Sequence, residues 1–164
     1  MRAARALVGV VVAYVVTLGL FERLAPRAWV RRYQRAVNPF FRSWAGVAFG
    51  WAVIETTGRR SGQPRRTPVG GRLRGSTYWT VAGDGRHSDY VKNIETSPAV
   101  RVQVHGRWRA GTAHVLADDP ARRRLLRLNP INSAFVAIAA KDPVTIRIDL
   151  APSGDARPPL DPVC

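Results

Sequence analysis

The segment TTGRRSGQPRRTPV, residues 56–69, combines residue types that can hold a polyanion. Four guanidinium groups lie within eight residues of this segment, on Arg59, Arg60, Arg65 and Arg66. Ser61 and Thr67 add hydroxyl groups, and Pro64 and Pro68 stiffen the chain, so the segment suits a phosphate or carboxylate ligand. It lacks the GK[ST] ending of a Walker loop and the GxGxxG pattern. A solvated basic hairpin is the alternative interpretation.

Histidine and carboxylate residues do not form a recognisable catalytic pattern. His87, His105 and His114 have no metal-ligand spacing with one another, so no metal site is predicted. No paired acid and base stands out either.

Length and charge limit the partners of the chain. Its 164 residues are typical of one domain, and the single Cys, Cys164, permits no intramolecular disulfide. The net charge is +15, of which residues 1–35 supply +6 and the remainder +9. A membrane surface for the first part and an anionic ligand for the second are therefore conceivable. Nucleic acid is not expected, because the aromatic residues are not interleaved with Lys and Arg in a binding motif.

An uncharged run of sixteen residues, ALVGVVVAYVVTLGLF, covers residues 6–21. The run predicts a membrane anchor over residues 1–24, although a cleaved signal peptide and a soluble core helix are alternatives. More Arg residues follow the run than precede it, which would keep the downstream domain in the cytoplasm. The expected location is therefore the membrane, single-pass or peripheral, with membrane lipid as a partner.

Residues 25–50 predict a basic amphipathic helical connector. Pro26 suits the first turn of a helix in which Trp29, Tyr33 and Val37 cluster on one side. This helix would lie in the headgroup region or pack on the domain. Beyond Pro39 the helical pattern breaks, and residues 40–50 would form a further short helix.

The rest of the chain predicts a mainly β domain over residues 51–150. Alternating apolar residues and turn signals indicate about six short strands and few long helices, which favours a small antiparallel barrel over an α/β sheet. The tail, residues 151–164, has too little apolar content to pack and is predicted to be disordered. The predicted strands cover residues 51–57, 67–73, 77–83, 100–104, 108–116 and 143–150, and the predicted helices cover residues 88–95, 121–128 and 132–140.

Residues 51–150 resemble the deazaflavin-dependent nitroreductase family. The family pattern TTGR-[KR]-[ST]-G-x-P-R-x-x-P is similar to residues 56–68. The likeness continues through DYVKN, residues 89–93, and through SPAVRVQVHGRW, residues 97–108. The motifs follow one another in the family's order and spacing.

The resemblance implies a split β-barrel, with short helices, that binds the deazaflavin coenzyme F-420; FMN is a less favoured cofactor. It also implies an oxidoreductase in which the hydride chemistry belongs to the cofactor. Arg59, Arg60 and Ser61 would hold phosphate, and the ribityl chain and ring would follow Arg65, Arg66, Thr67, Pro68, Val69 and Gly70. The other wall would consist of Val81, Ala82, Gly83, Asp84, Asp89, Tyr90, Val91, Lys92 and Asn93.

Two departures from the family limit what can be carried over. The connection AGDGRHSDYV is shorter than in nitroreductases and has Asp84 where a neutral or basic residue is usual. The late tyrosines near the nitroreductase substrate are missing from SAFVAIAAKD, so reduction of nitro drugs is not expected. His87, in the loop that would border the ring, is a weak candidate for a catalytic proton donor.

The expected function is hydride transfer between reduced F-420 and a small, lipophilic acceptor such as a quinone. A non-catalytic F-420 carrier at the membrane and a relative that binds FMN or haem are the alternatives. A homodimer is compatible with the sequence.

Overall fold

The computed structural model describes residues 2–47, 50–125, 128 and 136–152. Within these residues, six antiparallel strands close into a barrel in the order β1-β2-β3-β6-β5-β4. The predicted small antiparallel barrel is confirmed, and its architecture supports a split β-barrel. The strands are β1 (Trp51–Thr57), β2 (Pro64–Arg74), β3 (Thr77–Ala82), β4 (Ala99–Val104), β5 (Arg107–Leu116) and β6 (Val144–Leu150). The helices are α1 (Arg2–Leu24), α2 (Arg27–Ala45), α3 (Asp89–Thr96) and α4 (Ala121–Leu125), with a 3-10 turn over Gly85–His87.

The barrel interior is filled by the alternating apolar residues of its strands. Ile54 of β1, Val102 of β4 and Ile146 and Ile148 of β6 are fully buried. Because side chains on a strand alternate between its two faces, one residue in two points inward along β4 and β6. Val91 and Ile94 of α3 complete the same core from one end of the barrel. The short helix α3 is therefore stabilised by its packing on the barrel core.

Strand β2 pairs with β3 along only part of its length. The register of the two strands runs from Arg74 opposite Thr77 to Gly71 opposite Thr80, and it ends there. The earlier half of β2, from Pro64, continues with β1 alone, so its prolines remove no hydrogen bond to β3. Beyond Thr80, β3 continues with β6. The barrel is therefore split between residues 67–70 of β2 and the end of β3.

Helices α1 and α2 form a hairpin that lies against this split. The Phe21 and Tyr33 rings meet edge to face with centroids 6.0 Å apart, and Phe41 stacks on Trp51 of β1 at 6.2 Å. Side-chain bonds tie the hairpin turn to the barrel: Arg23 donates to the carbonyl oxygen of Ala140 at 3.3 Å, and Lys141 Nζ donates to that of Ala25 at 2.8 Å.

The predicted break at Pro39 is wrong, because α2 continues through this residue to Ala45. A proline inside a helix removes one backbone hydrogen bond. Here the apolar face continues past the proline, since Phe41 lies four residues after Val37 and packs on the barrel. Tertiary packing of this face outweighs the local preference for a helix end.

The predicted membrane anchor is also wrong. Among the residues that the structure describes, no helix is both long enough and apolar enough to cross a bilayer. The sixteen-residue uncharged run is shorter than the roughly 20 residues of a span, and the charged end of α1 contacts the barrel domain through Arg23. The predicted membrane localisation is corrected accordingly, and the predicted lipid partner stays a prediction.

The later predicted helices are described in part. Helix α3 is confirmed, and α4 covers the first five residues of the predicted helix over 121–128. Asp119 accepts hydrogen bonds from the Arg124 guanidinium and from Thr145 Oγ1 (2.7 Å), and Arg124 lies over the Trp79 ring at 4.1 Å. These bonds fix α4 against β3 and β6. Most of the predicted tail, residues 153–164, lies outside the described residues.

Candidate functional site

A cleft of about 460 Å³ lies between the helical hairpin and the split in the barrel. Its barrel wall consists of residues 67–70 of β2 and residues 81–84 at the end of β3. His87, Ser88, Asp89 and Tyr90 continue this wall. Because β2 and β3 stop pairing at Gly71 and Thr80, the two segments diverge and leave room for a ligand.

Two side-chain hydrogen bonds join β3 to β2 at the point where the strands diverge. Thr80 Oγ1 donates to the carbonyl oxygen of Gly70 at 2.7 Å, and the Tyr78 hydroxyl donates to that of Val69 at 3.4 Å. Val69 is buried in the core, so the neighbouring Gly70 faces the other side of the strand. The backbone of β2 is thus accessible from the cleft without an intervening side chain at residue 70.

The start of α3 is fastened to the loop after β1. Asn93 Oδ1 accepts from the backbone N–H of Arg59 (3.2 Å) and from its guanidinium (3.1 Å), and Asn93 Nδ2 donates to Thr56 Oγ1 at 3.1 Å. Arg59 also pairs with Asp89 at 3.0 Å. These bonds place Asp89 and Tyr90 at the edge of the cleft.

The arginine loop, residues 58–66, forms a tight connection from β1 into β2. The Gly58 N–H donates to the Gln63 carbonyl oxygen at 2.9 Å, and Gly62 has a positive φ of 67°. A left-handed backbone at this position favours glycine. The Arg65 guanidinium contacts only Ser61 Oγ, at 3.4 Å, and the exposed Arg60 side chain has no ion pair in the described part of the chain. Arg60 and Arg65 are therefore available to an anion.

Arg66 is committed to a different cluster. Its Nε pairs with Glu55 at 2.7 Å, and Arg101 pairs with the other oxygen of this carboxylate at 3.1 Å. Both guanidinium groups also lie over the Trp108 ring, at 5.3 and 5.1 Å from its centroid. Glu55 is 9% exposed, so the cluster balances a buried carboxylate with two cations.

The residues predicted as a cofactor site are thus only partly brought together. Val91 is fully buried, and Asn93 is 4% exposed and bonded to Arg59 and Thr56. Neither residue lines the cleft, and the half-exposed Lys92 does not line it either. The predicted residues that line the cleft are Thr67, Pro68, Val69, Gly70, Val81, Ala82, Gly83, Asp84, Asp89 and Tyr90, together with His87.

The opposite wall of the cleft was not predicted. It comes from α1 and α2 and combines apolar and aromatic side chains with the Glu22 carboxyl group and with Arg27, Arg31 and Arg35 of α2. The signal for it was present in the apolar stripe of α2, since Val30, Tyr33, Val37 and Phe41 recur at helical spacing. The residues of this wall include Tyr14, Val15, Leu18 and Glu22 of α1 and Val30, Tyr33, Gln34, Val37 and Phe41 of α2.

Charges in the cleft are distributed unevenly. Arg27 pairs with Asp84 at 3.1 Å and joins the two walls. Burial raises the pKa of the Glu22 carboxyl, while its hydrogen bond from Gln34 and the charge of Lys141 act in the opposite direction. Burial also raises the pKa of the Tyr33 and Tyr90 phenols, which keeps both neutral. The exposed His87 lies at the rim.

Comparisons with known proteins agree with this architecture. Residues 25–150 match the model of the family described as F-420H(2)-dependent quinone reductase. The comparison with curated proteins gave no match. The chain is similar to a solved structure described as a domain-swapped dimer, with 20% identity, 76% of this chain and 99% of the other covered, and a TM-score of 0.50. This likeness shows the fold, and the predicted homodimer stays a prediction.

Two further solved structures are described as F-420 reductases. One, described as an F-420-H2-dependent reductase (FDR-A), is 22% identical over 62% of this chain and 96% of the other, with a TM-score of 0.49. The other is 16% identical over 68% of this chain and 93% of its own, with a TM-score of 0.48. The family match covers the hairpin helix α2 and the whole barrel. The chain therefore belongs to the F-420H(2)-dependent quinone reductase family and is an F-420-dependent oxidoreductase.

Proposed function

We propose that this protein reduces a lipophilic quinone with reduced F-420 and that the reaction takes place in the cleft between the helical hairpin and the split barrel. The observation that carries the proposal is the two-sided construction of the cleft. The wall formed by β2 and the end of β3 offers backbone and lies next to the cationic loop, which is joined to its rim by the Arg59–Asp89 pair. The wall formed by α1 and α2 offers apolar and aromatic side chains. A cofactor with an anionic tail suits the first wall, and a flat apolar acceptor suits the second.

The chemistry of the donor set fits the coenzyme. Arg60 and Arg65 are two cations without acidic partners among the described residues, next to the Ser61 hydroxyl and the glycines of the loop. They would hold the phosphate and carboxylates of the tail. The loop adjoins the cleft, because Arg59 bonds Asp89 at its rim and Thr67 follows Arg65 by two residues. Residues 67–70 and 81–84 would flank the ring.

When bound, reduced F-420 supplies a hydride. The protein would orient the ring along β2, exclude water with the apolar faces of α1 and α2, and hold the acceptor beside it. Val15, Leu18 and Val30 provide an apolar surface for the acceptor. This surface supports a quinone over a polar substrate.

The test is oxidation of reduced F-420 by added acceptors, followed by the absorbance of the deazaflavin. We expect turnover with quinones that carry apolar substituents and a higher KM with polar quinones of similar potential. Binding of F-420 without turnover with any quinone would contradict the proposed acceptor. An absorbance spectrum with a retained flavin or haem would contradict the proposed cofactor site.

The available cations of the arginine loop give a prediction with an internal control. Replacing Arg60 or Arg65 by Ala should weaken F-420 binding by roughly 1.5–3 kcal/mol, because each change removes a hydrogen bond to a charged group. Lysine at either position should restore part of the affinity, since the charge remains but the planar fork is lost. The dissociation constant, measured by titration, gives the result.

Arg66→Ala is the matched control for these variants. Its guanidinium pairs with Glu55, so we expect lower stability and a change in F-420 affinity below about threefold. Unchanged affinity in both the Arg60 and Arg65 variants, or a large loss in the Arg66 variant alone, would contradict the assignment of the loop.

A further inference from the structure

Glu22 brings a carboxyl group into the apolar wall of the cleft. It lies near the end of α1 and lines the cavity, and it is half-buried. Gln34 Nε2 of α2 donates to both of its oxygens at 3.4 Å. These long bonds orient the carboxyl group without fixing its charge, because an amide is a neutral donor.

The other ionisable groups around the cleft differ from Glu22 in their partners, their exposure or their acidity. Asp84 pairs with Arg27 at 3.1 Å, and Asp89 pairs with Arg59 at 3.0 Å, so both carboxylates already have a cationic partner. The exposed His87 lies at the rim. The Tyr33 and Tyr90 phenols are weaker acids than an ordinary tyrosine, because burial raises their pKa. Among the described residues of the cleft, Glu22 is the carboxyl group without a salt bridge.

The surroundings of Glu22 favour its neutral form. Burial is the largest effect and raises the pKa, and the negative charge of Asp84 acts in the same direction. The Gln34 hydrogen bond and the positive charge of Lys141 lower it, but the net shift is upward. Arg23, on the same helix, points its guanidinium at the Ala140 carbonyl oxygen. Tyr33, on α2, faces Glu22 as a neutral phenol.

We propose that Glu22 is the proton donor for the acceptor bound in the cleft, a role that rests on the proposed quinone reduction. A quinone that accepts a hydride gains two electrons and one proton, and it needs one further proton to become a hydroquinone. The O–H bond of the Glu22 carboxyl breaks, a hydroquinone O–H bond forms, and the carboxylate regains a proton from water. The two electrons come from the reduced cofactor that the family's activity supplies.

The first experiment compares Glu22→Gln with Glu95→Gln in the full-length protein. The amide keeps the size of Glu22 but cannot give up a proton, so we expect kcat for a quinone to fall by about 10²-fold with F-420 affinity unchanged. The wild-type rate should fall as pH rises through the pKa of Glu22, and this limb of the pH profile should vanish in Glu22→Gln. Glu95 pairs with Arg86 at 2.8 Å outside the cleft, so Glu95→Gln should keep the wild-type rate and profile.

The second experiment needs neither cofactor nor acceptor. The free energy of unfolding is measured against pH for the wild type and for Glu22→Gln. A carboxyl group whose pKa is raised by folding stabilises the protein below its ordinary pKa of 4.5, and this stability is lost as pH rises through the folded value. We therefore expect the wild-type stability to fall relative to Glu22→Gln above pH 4.5.

The outcomes separate the two proposals. A wild-type protein that reduces quinones, with Glu22→Gln matching its rate and pH profile, would overturn the role of Glu22 and leave the proposed function standing. A wild-type protein that reduces no quinone would overturn both. Parallel stability curves for the two proteins above pH 4.5 would show an ordinary ionised carboxylate and would also overturn the role of Glu22.

Discussion

Replacing Gly70 by Val is expected to weaken F-420 binding by at least about 100-fold, or roughly 2.8 kcal/mol. Gly70 lies on β2 where the barrel splits, and its neighbour Val69 points into the core. A side chain at residue 70 would therefore project from the opposite side of the strand, where the ring is proposed to pass close to the backbone. Turnover should be lost together with binding, since the cofactor can no longer be placed.

The fold should tolerate this change, because Val is a strong strand former and Gly is a weak one. Circular dichroism and the melting temperature of the variant check this expectation. Gly70→Ala should give a smaller loss of affinity than Gly70→Val, since the added side chain is smaller. A Val variant that folds and binds F-420 with wild-type affinity would show that the ring does not pass along β2.

Asn93→Ala is expected to lower the free energy of unfolding by about 2–3 kcal/mol. Asn93 accepts from the backbone N–H of Arg59 at 3.2 Å and donates to Thr56 Oγ1 at 3.1 Å, and it is 4% exposed. Alanine removes the side-chain amide, so the Arg59 N–H and Thr56 Oγ1 each lose a hydrogen bond. A buried polar group that loses its partner is no longer compensated for the water it gave up on folding, and the folded state is destabilised by that desolvation free energy. Chemical denaturation of the two proteins gives the difference.

The same change should reach the cleft indirectly. Asn93 also accepts from the Arg59 guanidinium, which holds Asp89 at the rim, so the start of α3 should loosen and F-420 affinity should fall. Glu95→Ala, two residues further along α3, serves as the control, since its exposed ion pair with Arg86 is worth about 1 kcal/mol or less. Equal stabilities of the Asn93 and Glu95 variants would contradict the structural role of the amide.

The strand pattern of the barrel was predictable from local sequence. Strand β1 covers Trp51–Thr57 as predicted, and β6 covers Val144–Leu150 within one residue of the prediction. Alternation of apolar and polar residues reports which face of a strand is buried, and this information is local. The arginine loop was recognised for the same reason, because its cations, glycines and prolines are consecutive in the chain.

The roles within the loop were decided by partners that are distant in the sequence. Arg60 and Arg66 cannot be told apart by residue type, but only Arg66 has an acidic partner among the described residues, which is Glu55. Glu55 also binds Arg101, which lies 46 residues away in the sequence. Arg59 is held by Asn93, 34 residues away. Ion pairing depends on distance in space, and the pairing register of the strands sets that distance.

The cleft itself depends on where strand pairing stops and on what covers the gap. No local pattern shows that the β2–β3 register ends at Gly71 and Thr80. No local pattern shows either that α1 covers the cleft left by this split. The apolar run of α1 indicated burial but not the surface that would bury it, so a membrane was predicted where the structure places part of a cleft wall. Local sequence determined the strands and the cationic loop, because backbone preference and side-chain alternation act between near neighbours. Tertiary structure alone brought Glu22 to the cleft, because burial and charge at a site depend on elements that only folding brings together.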